Sequence, residues 1–184
     1  IAQSLRTRKT NTIGLTIPSI DNPFFANLSG VIINHLKASG YNIIISDTME
    51  CEDNEISALN SFLSRKVDGI IAVPVSSSPV FLESVSRSIP VVLIDRYFEE
   101  TTLPYVCTDN YNGGYIATEY LINKGYREIL AIQGVRSSMP NKERLRGFFQ
   151  AVDDHKDLGV TRLTGGDSFS VDNGYNETMA AFKA

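Results

Sequence analysis

The chain has 184 residues, 42% of them hydrophobic, with 13 Gly, 7 Pro and no Trp. This composition is near the globular average and excludes disordered, collagen-like and disulfide-scaffold classes. Seventeen Lys plus Arg stand against 21 Asp plus Glu, a net charge of −4, which excludes a chain given over to a nucleic-acid surface, because clustered cations supply most of that affinity. The local exception is a basic start, Arg6, Arg8 and Lys9.

From residue 12 onward, short β-branched runs alternate with longer segments of helical spacing, the pattern of βαβ units. Ile13 to Pro18 is the first strand. Asn22 then caps a helix with Pro23 at its first position, running to Ser39 with Phe24, Leu28, Ile32 and Leu36 on one face and Gly40 as the C-terminal cap. Tyr41 to Ser46, with three consecutive isoleucines, is expected to be a strand buried on both faces. Asn54 to Lys66 is the second helix, with Ile56, Leu59 and Leu63 inward, and Asp68 to Val73 the third strand. Pro79 to Arg87 is a short helix, Pro90 to Asp95 the fourth strand and Tyr105 to Thr108 a short fifth.

After Thr108 the period starts over. Asn112 to Lys124 is a helix ended by Gly125, Glu128 to Gln133 a strand, and Asn141 to His155 a helix with Leu145, Phe148, Phe149 and Val152 inward. Val160 to Thr164 is a strand, and a last helix begins at Val171. The expectation is an α/β fold of two doubly wound, three-layer lobes with parallel sheets, residues 12–108 and 109–184, preceded by a linker at 1–11. Two strands make a marginal lobe, so the second is expected to be truncated and the chain to be a piece of a longer one.

In open parallel sheets, ligands bind beyond the carboxyl ends of the strands, where helix N-termini present N–H groups. This rule nominates Ser19, Asn22, Phe24 and Phe25 after the first strand, Val73 to Ser78 after the third, and Asp95 and Arg96 after the fourth. In the second lobe it nominates Ser137 to Arg144 and the turn Asp167 to Phe169. Asn, Asp and Arg beside aromatic rings suit a polyhydroxylated ligand: the charged groups hydrogen-bond hydroxyls and the rings cover C–H faces. Of the two phenylalanines, Phe24 is in register with Leu28 and is the one expected in the core. Asn22 serves equally as cap or ligand contact.

The runs Ile13-Gly14-Leu15 with Asn22-Pro23-Phe24-Phe25, Val67-Asp68-Gly69-Ile70-Ile71, Ile89 to Arg96, Asp109-Asn110-Tyr111-Asn112-Gly113-Gly114, and Glu143-Arg144-Leu145-Arg146-Gly147-Phe148 occur in order. In this the chain resembles the effector-binding core of the lactose-repressor (LacI/GalR) family of transcriptional regulators, which has a periplasmic-binding-protein-like fold. The resemblance implies effector contacts for Asn22, Phe24, Phe25, Asp95, Arg96 and Arg144, with Phe169 from the second lobe. It also implies a small sugar-like effector held between lobes and coupled allosterically to operator DNA, a homodimer and a cytoplasmic location. One position departs: sugar-binding members often have Asn before the Pro that follows strand three, and here Val73 precedes Pro74. Ile1 to Thr10 resembles the hinge helix and linker of the family, in which the hinge leucine, Leu5 here, wedges into the minor groove.

The alternative reading is an exported sugar-binding protein of a transporter. No enzyme is expected, since no residue set pairs a nucleophile or metal with a base. No cofactor is implied either. Cys51 and Cys107 read as ordinary thiols, and His35 and His155 stand alone, without a second ligand at metal spacing. No run approaches the ~18 apolar residues of a membrane span.

Overall fold

A computed structural model describes residues 9–183. Leu5, Arg6 and Arg8 of the expected hinge lie outside the described residues. The chain divides between Val106 and Cys107 into two compact units.

The first unit is built on a five-stranded, all-parallel sheet in the order β2-β1-β3-β4-β5. Its strands are β1 (Thr12–Ile17), β2 (Asn42–Asp47), β3 (Gly69–Ala72), β4 (Val91–Ile94) and β5 (Tyr105–Val106), with helices α1 (Pro23–Ala38), α2 (Glu52–Ser64) and α3 (Val80–Ser86) between them. Side chains alternate between two cores as the strand period of two requires. Leu15, Ile17 and Val73 meet Phe25 of α1 on one face. Ile70, Ala72, Val91 and Leu93 meet Leu59 and Phe62 of α2 and Leu82 and Val85 of α3 on the other. Gly14 belongs to the second face, where a Cβ would run into the Phe62 ring.

Two expectations fail here. β2 is an edge strand, and Ile45 is exposed, because the chain crosses back beyond β1 and none of the described residues pairs on the far side. On α1 the buried residues are Phe25 and Ser29, while Phe24 is 51% exposed and packs its ring edge-on to Phe25 at 5.1 Å. The inward stripe is thus shifted one position from the one centred on Phe24.

Helix ends follow local chemistry. Asn22 caps α1, its Oδ1 accepting the Phe24 N–H at 3.0 Å, and Tyr41 N–H closes the far end on the Leu36 carbonyl with Gly40 at φ +81°. The end of α2 has the same closure, Val67 N–H to Phe62 O, but the left-handed position is filled by Lys66 at φ +53°. Asp68 accepts the N–H groups of Thr10 and Asn11 at 2.8 and 2.9 Å, tying the entry of β1 to the start of β3.

The second unit has parallel strands β6 (Glu128–Ile132) and β7 (Thr161–Gly165), helices α4 (Asn110–Asn123), α5 (Met139–Asp154) and α6 (Val171–Ala181), and a 3-10 turn at Lys156–Leu158. Asp109, Ser138 and Ser170 cap the three helices. Ile122, Ile129, Phe148 and Val152 form the core. The helices α4 and α5 approach closely through glycine: a Cβ on Gly147 would overlap the Tyr111 carbonyl, and one on Gly114 the Arg144 carbonyl.

Candidate functional site

The chain order in the first sheet reverses between β1 and β3, so the crest beyond their carboxyl ends is the switch point at which α/β sheets bind ligands. Three carboxylates organise the crest loops. Asp47 takes the Ile20 N–H on one oxygen at 2.9 Å and the Met49 N–H on the other at 2.8 Å. Glu55, 1% exposed, takes the Val75 and Ser76 N–H groups, each at 3.1 Å. Its pKa is raised by burial, which outweighs those hydrogen bonds.

The third carboxylate is Glu50. Its two oxygens receive the two terminal amino groups of Arg96 at 2.6 and 2.7 Å. Arg96 is 5% exposed, and its guanidinium carbon lies 5.7 Å from the centre of the Phe25 ring. Because β1 and β3 separate β2 from β4, this pair reaches across the crest above the switch point. Asp95 precedes Arg96 with φ +64°, and Met49 and Glu50 are left-handed as well, at +53° and +52°. Such φ values in non-glycine residues cost about 1–3 kcal/mol each and persist only where surrounding bonds impose them. Here Glu50 N–H to Pro18 O at 2.9 Å and Cys51 N–H to Thr48 O at 2.9 Å do so.

Of the residues nominated from sequence, Ser19, Asn22, Phe24, Phe25, Asp95 and Arg96 all belong to this unit. Asn22 acts as the cap, Phe25 as core and partner of Arg96, and Phe24 as an exposed ring. Glu50 and Asp47 are not among the residues nominated from sequence, although Asp47 ends β2 and Glu50 follows it, where the crevice rule extends to them.

In the second unit Arg144 donates from Nε to Asn110 Oδ1 at 2.8 Å, and Asn110, buried, donates in turn to the Thr108 carbonyl. Arg144 and Phe169 line one cavity of about 480 Å³ together with Asn141 and Asn173, and the Phe169 ring occupies the space a Cβ on Gly134 would need. The cavity follows β6 through every residue from Ile129 to Gly134 and touches none of β7. It therefore lies along the edge of β6 that does not face β7. His155 Nδ1 lies 2.9 Å from the Ala151 carbonyl, and His35 is exposed. Among the described residues neither Cys51 nor Cys107 forms a disulfide.

Residues 10–180 match the family described as periplasmic binding proteins and sugar binding domain of LacI family. The chain belongs to this family. As a LacI-family core it is 31% identical over 180 residues to a ribose operon repressor of Halalkalibacterium halodurans, covering 98% of this chain and 53% of that protein. It is 30% identical over 155 residues to the HTH-type transcriptional repressor PurR of Pectobacterium carotovorum, covering 83% and 46%. Among solved structures it is similar to a periplasmic binding protein/LacI transcriptional regulator from Alkaliphilus metalliredigens complexed with D-xylulofuranose. The TM-score is 0.76 at 32% identity, over 88% of this chain and 59% of that one. The chain spans about half the length of the curated relatives it matches. Among the described residues no helix is long and apolar enough to cross a membrane.

Proposed function

We propose that this LacI-family core senses a small polyhydroxylated effector for a DNA-binding transcriptional regulator. The observation that carries the reading is the crest of the first unit. A buried Arg96 lies against the Phe25 ring after β4, Asn22 caps the helix that follows β1, and Asp95 next to Arg96 is held in a left-handed conformation. The names of the repressor relatives and the pentulose bound by the Alkaliphilus metalliredigens protein support it.

In this reading Asp95, Arg96 and Asn22 hydrogen-bond hydroxyls, Phe24 or Phe25 covers a C–H face, Ser19 borders the crest, and Arg144 and Phe169 serve from the second unit. The effector favours one of two conformations and so shifts their populations; a coupling of about 1–3 kcal/mol changes operator affinity roughly 5- to 150-fold. DNA contact through the segment containing Leu5, a homodimer and a cytoplasmic location belong to the same proposal. The chain acts as a binding module, without catalysis or cofactor.

A thermal-shift screen of the gene product containing this chain, with sugars, polyols and purines, tests the reading, since a ligand specific to the folded state raises its apparent stability. One class of these compounds is expected to raise the melting temperature, and Asp95→Ala and Arg144→Ala to remove the response while operator binding persists. A flat screen, or an unchanged response in both variants, overturns it.

A further inference from the structure

We propose that Glu50 sets the charge class of the effector, making the crest a site for uncharged sugars and closing it to sugar phosphates and other anions. This inference rests on the effector reading of the first unit. A buried guanidinium at a ligand crest is ordinarily an anion receptor, because its terminal amino groups form a fork that matches phosphate or carboxylate. In this chain a resident carboxylate already fills that fork, with contacts of 2.6 and 2.7 Å to both terminal amino groups. An incoming phosphate has either to displace Glu50 or to sit beside it, and in the second case meets like charge. A hydroxyl brings no charge to be balanced and meets a pair whose net charge is zero.

The arrangement is built rather than a chance surface contact. Glu50 is presented from two consecutive left-handed residues, and its loop is fixed by the Pro18 carbonyl and by Asp47. Arg96 is 6% exposed in its side chain and Glu50 36%, so the carboxylate is the open member of the pair. A carboxylate has about four acceptor positions, and Arg96 uses two. Glu50 can therefore accept a hydroxyl directly from the solvent side, which makes it a specificity-determining residue as well as the group that orients Arg96.

The test compares the gene product containing this chain with its Glu50→Gln and Glu50→Asp variants by calorimetric titration. The probes are D-ribose, D-ribose 5-phosphate, D-xylulose and D-xylulose 5-phosphate. Wild type is expected to bind a neutral sugar at least about tenfold more tightly than its phosphate. Removing one unit charge a few ångströms from a partly buried site is worth on the order of 10- to 100-fold for an anion. Glu50→Gln is thus expected to compress or invert the ratio by about tenfold or more, and Glu50→Asp, which keeps the charge, to retain the wild-type order. A purely structural role lowers both affinities alike and leaves the ratio in place. A wild type that prefers the phosphate, or a folded Glu50→Gln whose ratio stays within about twofold of wild type, overturns the inference. Absence of binding of all four probes to wild type is a different failure: it overturns the sugar-effector reading itself, before any variant is made.

Discussion

Glu55, in the first turn of α2, accepts the backbone N–H of Val75, twenty residues further along the chain, at 3.1 Å. The contact holds the loop after β3 in place, yet burial leaves the carboxyl with a raised pKa. Between its unfolded value, near 4.5, and the raised folded value, the folded state binds more protons than the unfolded one. Stability contributed by Glu55 is therefore present below pH 4.5 and falls as pH rises through the folded pKa. Chemical unfolding at a series of pH values is expected to show this decline in wild type and a flatter profile over the same window in Glu55→Gln. Equal slopes in the two proteins contradict the assignment.

The crossing of α4 and α5 admits no side chain at Gly147. Gly147→Ala drives a methyl into the Tyr111 carbonyl, and because backbone on both helices has to move, the expected loss is about 1–3 kcal/mol. Gly113→Ala, where a Cβ meets nothing within 4 Å, is the control and is expected to be neutral or slightly stabilising in urea unfolding.

Lys66 holds a left-handed position that glycine fills at the ends of α1 and α4. Left-handed geometry costs an ordinary residue about 1–2 kcal/mol, and glycine loses part of that advantage through a more flexible unfolded chain, about 0.5–1 kcal/mol. Lys66→Gly is expected to stabilise the first unit by up to about 1 kcal/mol, read as a higher urea midpoint with an unchanged slope.

The hydroxyls of Thr16 and Ser29 are buried without a hydrogen-bond partner among the described residues. An unsatisfied buried hydroxyl costs about 1 kcal/mol or more. Thr16→Val keeps the branched shape on β1 and removes that cost, so a rise in melting temperature is expected; a fall would show that Thr16 has a partner in solution.

Much of the fold is legible in the sequence because its signals are local. Asn22-Pro23, Gly40, Gly125 and the alternating runs each act within a few residues, and the ends of the strands and helices fall within about two residues of where they point. What failed was not local. Three isoleucines look the same in a central and an edge strand, since the order β2-β1-β3 is decided by the crossovers. Ser29 sits at the centre of the buried face of α1, and a polar residue there disguises the face, so Phe24 rather than Phe25 looked internal. The Glu50–Arg96 contact joins residues 46 apart, on loops after strands that are not neighbours, and only the assembled sheet brings them together.

Asp47 is one small side chain, but each of its oxygens restrains a different loop, at Ile20 and at Met49. Asp47 thus ties the two segments to one side chain, so ordering either by a bound molecule is expected to restrain the other and to lower the conformational entropy lost on binding. In backbone relaxation measurements Asp47→Ala, which removes both acceptor oxygens, should free both segments together, and the crest would then answer a ligand as two loosely related loops.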